Sequence, residues 1–424
     1  MKSILILVGE YKPFSSTNGN IADNIVQELK NQGYDIRVAT RKNYRNLSKY
    51  ECIDDIPIYR YNDWNLIMHN FCIEKIKNGK KYYNILLQIK RMIYYFCRTI
   101  RKSSLSKYYI KKIKKVIKNI NFEKPIDCII PVSAPHEEVF ASMNYKKENR
   151  NIILLPYQLD RFANGNSLYP NNFLKQVKLQ NNKDLELQLL KECNKLFVLP
   201  PIYEYYKENL VYKDYLNKVE ITEHPMIKNM KNKKTHRNRK TTILYAGALD
   251  VNLRNPTYLF ELIKSTELRN SNIKLELYTF GNCQSIIDRY KNDLVDIIID
   301  KGKVSHDLII KAIQNADILL SIGNDSNDEV PSKLFEYLSF CKPIIHLYYS
   351  EKDAYIQYLK KYKYSICIKM DKYCISENAK KIKEFLRENL DIDIDFNYIR
   401  KNFQKCTPKY VAKKFIQEIE ESKK

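Results

Sequence analysis

At 424 residues the chain exceeds what one hydrophobic core ordinarily supports, so two domains of about 200 residues each are expected. Hydrophobic residues at 44% and charged residues at 29% exclude a disordered chain, and the lack of any apolar run of about 18 residues excludes a membrane-spanning helix. A formal charge of +24 draws phosphates, nucleic acid or anionic lipid, but Lys, Asn, Ile and Tyr are all frequent together, so the local distribution of charge says more than its total.

The opening MKSILILVGEYKP is a short strand-like run without a small-residue cleavage site, and the chain is expected to stay in the cytoplasm. Ser3 to Val8 reads as a strand, Ile21 to Asn31 as a helix closed by Gly33, and Asp35 to Thr40 as the next strand, one β-α-β unit. Further on, Lys75 to Lys118 holds fifteen Lys or Arg and no Asp or Glu. Within it, ILLQIKRMIYYF and YYIKKIKKVIKNI place apolar residues between cations at helical spacing, which suits either an anionic membrane surface or a helical insertion with solvated lysines. Strand-like runs recur at Asp127 to Val132, Asn151 to Pro156, Lys195 to Leu199 and Lys218 to Thr222, with a helical pattern at Leu185 to Cys193, and complete a first sheet. Met226 to Lys240 is polar, carries seven Lys or Arg and lacks apolar periodicity, as a linker would. The alternation restarts with Thr242 to Gly247, Ile273 to Tyr278, Val295 to Asp300, Asp317 to Ile322, Pro343 to Leu347 and Ser365 to Ile368. Parallel sheets with helices on both faces are therefore expected in two Rossmann-like domains, 1–225 and 241–407, joined by 226–240. An amphipathic helix within 408–424 would return to the first domain.

The ten cysteines contain no Cys-x-x-Cys and the six histidines no His-Glu-x-x-His, so reduced thiols and no bound metal or other cofactor are expected. No RNA-binding or zinc-finger motif is present, and nucleic acid is not an expected partner.

The stretch DEVPSKLFEYLSFCKPII, Asp328 to Ile345, reads as loop, helix and strand. Pro331 suits a first helical turn, Leu334, Tyr337, Leu338 and Cys341 mark a buried stripe, and Lys342-Pro343 breaks the helix. A helix starting at the carboxyl edge of a parallel sheet offers unpaired amides to a diphosphate, Lys333 adds a cation, and Glu336 suits the two ribose hydroxyls of a nucleotide. The bland alternative is a solvated face formed by Lys333 and Glu336.

The string Val-Pro-Ser-Lys-x-x-Glu-Tyr-Leu followed by x-Lys-Pro-Ile-Ile resembles the donor-site signature of GT-B glycosyltransferases, notably the large retaining family that builds bacterial polysaccharides. The resemblance implies donor contacts from Ser332, Lys333, Leu334 and Glu336, with Asp328 at the place of a second family glutamate and Glu329 beside it. ILYAGALDVNLRNP, Ile243 to Pro256, resembles the family's strand and glycine loop, with Gly247 at the glycine, Arg254 at the phosphate-binding basic position and Ala248 where other members carry an Arg. TFGN, with Gly281, and the turn at Ser305 to Leu308 resemble elements near the nucleotide base. In the first domain, Gly19 resembles a glycine loop that approaches the substrate, His136 a histidine facing the cleft, and Asp160 part of an acceptor-side run. What this implies is a metal-independent, retaining transfer of sugar from a nucleotide-diphosphate donor to a glycan or lipid-linked acceptor. A nucleotide-sugar epimerase and a non-catalytic partner subunit share the same architecture and stay open.

Overall fold

In the computed structural model, residues 2–165, 169, 171–232, 240–324, 332–390 and 392–422 are described. They divide into two compact units, 1–225 with 408–424, and 226–407. The first is built from β1 (Ser3–Val8), α1 (Thr17–Asn31), β2 (Asp35–Lys42), β3 (Tyr50–Ile53), β4 (Ile56–Asn62), α2 (Trp64–Lys77), α3 (Tyr83–Ile100), α4 (Lys107–Glu123), β5 (Cys128–Ser133), α5 (Glu137–Glu148), β6 (Ile153–Leu154), β7 (Tyr157–Gln158), α6 (Asn172–Glu192), β8 (Leu196–Val198), α7 (Pro200–Glu208) and β9 (Val219–Ile221). The strands form one sheet in the order β3-β4-β2-β1-β5-β7-β8-β9, with β6 also on β5, and every pairing is parallel except β3 with β4. All six residues of β1 are buried, as expected for a central strand covered on both faces.

Local chemistry sets the ends of these elements. Ser16 caps α1 by accepting the Gly19 amide at 3.2 Å, and Gly33, at φ 83°, turns the chain into β2. Gly19 packs inside the unit rather than opening toward a ligand: a Cβ there would lie 2.0 Å from the Glu10 carbonyl oxygen. The expectation that this glycine lets a substrate approach is thereby replaced by a close contact within the chain.

The second unit contains β10 (Thr241–Leu249), α8 (Thr257–Lys264), α9 (Thr266–Arg269), β11 (Ile273–Gly281), α10 (Gln284–Asp293), β12 (Ile298–Asp300), α11 (His306–Asn315), β13 (Ile318–Ile322), α12 (Lys333–Ser339), β14 (Ile344–Tyr348), α13 (Ala354–Leu359), β15 (Ser365–Lys369), α14 (Ile375–Asn389) and α15 (Phe396–Asn402). Its parallel sheet runs β12-β11-β10-β13-β14-β15, the doubly wound order in which the chain leaves the central strand first to one side and then to the other. Along β10, Ile243, Tyr245 and Leu249 face one core and Leu244 and Ala246 the other, so the strand alternates between two buried helix layers. Residues 226–232, expected in the linker, belong to this unit: the Ile227 amide donates to Cys406 O and the Met230 amide to Ser339 O, each at 3.0 Å. The final helix, α16 (Pro408–Glu421), belongs to the first unit, where Phe415 packs against Phe197 with ring centroids 4.1 Å apart and planes tilted by 37°.

Candidate functional site

In the second unit a cavity of about 320 Å³ opens at the carboxyl ends of β10, β11 and β13. This is the place where the order of the sheet reverses, between β10 and β13, and where open α/β sheets bind ligands. Its floor carries Gly247 and Ala248, and its walls include Arg254, Phe280, Lys303, Ile309, Lys333, Tyr337 and Tyr355. The cations differ in how far they are already compensated. Lys333 Nζ lies 2.6 Å from Glu336 Oε2, whereas Arg254 and Lys303 have no carboxylate partner among the described residues. Arg254 is held by its Nε, which donates to Asn324 Oδ1 at 2.5 Å, and Lys303 lies over the Phe280 ring at 5.2 Å. Two cations without a carboxylate partner among the described residues, set beside Gly247, suit a polyanion, and the apolar flank of Val304, Ile309 and Phe280 suits a flat ring.

The expected donor residues fall into three groups. Gly247, Arg254 and Lys333 line this cavity, and Glu336 sits behind Lys333 with His306 Nε2 at 3.9 Å from its other oxygen. Leu334 does not present itself to a ligand: its side chain is in the core, and its amide donates to the Tyr355 hydroxyl at 3.3 Å. Ser332 stands at the N-cap of α12 without a side-chain cap bond and lies outside the cavity wall. Gly281, at φ 132°, serves strand packing, since a Cβ there would meet Leu249 O at 1.9 Å. Asp328, Glu329 and Pro331 lie outside the described residues.

No motif marks a buried polar row that begins and ends on the cavity wall, at Ser321 and Asp353. Ser321 Oγ lies 2.7 Å from His346 Nδ1, and His346 Nε2 lies 3.4 Å from Asp353 Oδ1. Asp353 Oδ1 also accepts the Tyr355 amide at the start of α13, and its other oxygen packs on Gly323, where a Cβ would come within 1.9 Å. These residues come from two strands, β13 and β14, and from the N-cap of α13, and share no motif. Lys303 was missed likewise, because one lysine in a chain so rich in lysine carries no signal by itself.

The first unit has its own cavity, about 520 Å³, lined by Glu10, Asn18, Arg41, Tyr94, Arg98, Arg101, Tyr109 and His136 among others. His136 is buried at the N-cap of α5 beside Phe162, and burial pushes its pKa down to about 4, so the imidazole is neutral at pH 7. Neutrality suits a hydrogen-bonding group or a base and not a cation facing a leaving phosphate. Asp160 lies two residues past β7 and lines neither cavity. Arg41, at the end of β2, is enclosed by Asp63 at 3.1 Å, Glu138 at 3.0 Å and Glu137 at 3.4 Å, so its charge is spent within the protein. Among the described residues no group of three or more His, Cys, Asp or Glu side chains is placed to hold a metal ion, and no helix is long and apolar enough to cross a membrane.

A second buried acid in this unit sets a pH dependence. Glu186 on α6 accepts from the Ala163 amide at 2.9 Å and from the hydroxyls of Tyr205 and Tyr212, and burial raises its pKa from 4.5 to about 7. Between those values the folded chain holds a proton that the unfolded chain has released, so this group's contribution to stability is full below pH 4.5 and is lost as pH rises toward 7. Compared with Glu186→Gln, the native chain is expected to gain up to about 3 kcal/mol as pH falls across that window. Urea unfolding of both proteins at several pH values checks this, and a pH-independent difference contradicts it.

No protein-family model matches the sequence, and no curated protein matches it. Solved structures do match. Sucrose-phosphate synthase from Thermosynechococcus elongatus aligns with a TM-score of 0.64 at 12% identity, covering 98% of each chain. S. aureus TarM in complex with fondaparinux, α-GlcNAc-glycerol and UDP aligns with a TM-score of 0.59 at 11% identity, covering 99% of this chain and 100% of that one. A Listeria monocytogenes protein described as a UDP-N-acetylglucosamine 2-epimerase aligns with a TM-score of 0.55 at 12% identity, covering 99% and 96%. The chain thus has the α/β GT-B fold, two units each built on a Rossmann-like sheet.

Proposed function

We propose that the chain is a glycosyltransferase that moves a sugar from a nucleotide-diphosphate donor to a glycan or lipid-linked acceptor. The observation that carries this reading is the second unit's cavity, where Arg254 and Lys303 have no carboxylate partner among the described residues and stand beside Gly247 at the switch point of the sheet. A diphosphate supplies the missing charge, the apolar flank takes the base, and Glu336 accepts from the ribose hydroxyls once Lys333 turns toward phosphate. Support for a nucleotide donor comes from two structures of similar fold, one in complex with UDP and the other bound with UDP-2-fluoro glucose.

In this reading the cations neutralise the diphosphate as the anomeric bond breaks, a preorganised electrostatic contribution that replaces a metal ion. Transfer is retaining: the departing phosphate oxygen takes the acceptor's proton on the same face, and no dedicated base is required. The first unit, with its larger cavity, is assigned to the acceptor, and neutral His136 is its hydrogen-bonding group.

Incubating the purified chain with UDP-, GDP-, CMP- and dTDP-sugars tests the reading. Release of nucleotide that rises when acceptor is added supports it. An epimerised sugar nucleotide formed without acceptor favours the epimerase reading, which the Listeria structure keeps in play. No turnover with any donor, together with no nucleotide binding, removes both.

A further inference from the structure

We infer that α3 is a docking helix for an anionic membrane surface. Helix α3 spans Tyr83–Ile100, yet Leu87 is its one buried residue. Ile85, Ile89, Met92, Phe96 and Ile100 recur every three or four residues and therefore share one face, and they are 61%, 47%, 71%, 66% and 67% exposed. A continuous apolar stripe about 22 Å long is thus turned away from the unit that carries it.

Neighbouring charge identifies what covers the stripe. Lys80, Lys81, Lys90 and Arg91 flank it, and no acid occurs anywhere from Lys75 to Lys118. An apolar stripe on a segment whose charged residues are all cations matches the boundary between anionic headgroups and acyl chains. A second copy of the same chain, also at +24, would set these cations against their own kind. The basic helix that follows, α4, does not share the role: Ile113, Ile117 and Ile120 are buried, Lys112 Nζ donates to Asn62 O and Lys114 pairs with Glu148. Of the two amphipathic segments evident in the sequence, the surface therefore belongs to the first.

The carboxyl end of α3 leads into the first unit's cavity, which Tyr94, Arg98 and Arg101 line. A helix lying in the headgroup layer would bring the cavity to the depth of lipid phosphates. This last step rests on the glycosyltransferase reading, for it makes the acceptor lipid-linked, whereas docking itself does not.

Flotation of the full chain with vesicles decides. Wild-type protein is expected to float with phosphatidylglycerol-containing vesicles, to stay behind with pure phosphatidylcholine, and to be released by salt at about 0.5 M. Met92→Glu with Phe96→Glu should cut vesicle binding about tenfold or more, and because both side chains are exposed the melting curve and UDP affinity should not change. Lys81→Glu with Lys90→Glu and Arg91→Glu should abolish the preference for anionic lipid. Equal flotation of the Met92/Phe96 variant, or no flotation of wild type, overturns the inference. A wild-type dimer that the same variant makes monomeric, without vesicle binding, would give the face to a second copy instead. Loss of UDP binding by the wild-type chain would count against the donor site and leave docking standing.

Discussion

Replacing Arg254 and Lys303 together by alanine is expected to weaken UDP binding about 100-fold, and uridine binding by less than about threefold. Charge-assisted hydrogen bonds to phosphate contribute about 1.5 kcal/mol or more each, and two of them amount to the two decades. The effect is confined to the phosphates because both side chains lie among the strand-end loops, with only Lys303 touching the apolar flank through Phe280. Lys333→Ala should cost less than the double replacement, since that ammonium must leave Glu336, 2.6 Å away, before it meets phosphate, and the lost pair offsets part of its gain. Calorimetric titration with UDP, UMP and uridine separates the cases. Equal losses for uridine and UDP would mean that the cavity had changed shape and that charge was not the cause.

A comparably large effect is expected on stability from Arg41→Met. Glu138 is fully buried, Asp63 nearly so, and each loses its cation when Arg41 goes. The Tyr61 hydroxyl, which donates to Glu138 at 2.5 Å, compensates only part of the exposed deficit. Breaking a buried ion network on one side costs about 3–5 kcal/mol, because the partner charges remain in a poorly solvating place. Adding Glu138→Gln to Arg41→Met should recover a substantial fraction of that loss, as a neutral amide is cheaper to bury than a lone carboxylate. Urea midpoints of the single and double variants give the coupling. A double variant no more stable than Arg41→Met would show that the arginine acts by packing.

The sheets were legible because central parallel strands are continuous apolar runs. β1 has the same limits in the sequence pattern and in the structure, and all six strands of the second unit lie at their expected places within a few residues. The β3–β4 hairpin was not legible, because its turn is Asp54-Asp55, with φ of 54° and 57°, in place of the Asn-Gly that usually marks such a turn. Glycines misled for a different reason. Gly19 and Gly281 fit the positions of ligand loops, yet each is required by a backbone carbonyl of this chain, Glu10 O and Leu249 O, and sequence cannot tell a close protein neighbour from a close ligand.

The cavity of the second unit was partly visible, since Gly247, Arg254 and Lys333, which line it, and the neighbouring Glu336 lie within two short motifs. What escaped were residues gathered only by the fold: Lys303 from the loop before α11, and the row Ser321, His346 and Asp353 from β13, β14 and the start of α13. Leu334 reads in two ways, as part of a buried stripe from its spacing and as a donor contact from the resemblance; its side chain is buried, and its amide donates to the Tyr355 hydroxyl, 21 residues on.

The most direct test is a crystal structure of the chain soaked with UDP. The diphosphate should lie beside Gly247 within hydrogen-bonding distance of Arg254 and Lys303, with the ribose hydroxyls on Glu336. A nucleotide bound away from this cavity, or a cavity that stays empty while UDP saturates the protein in solution, would contradict the assignment.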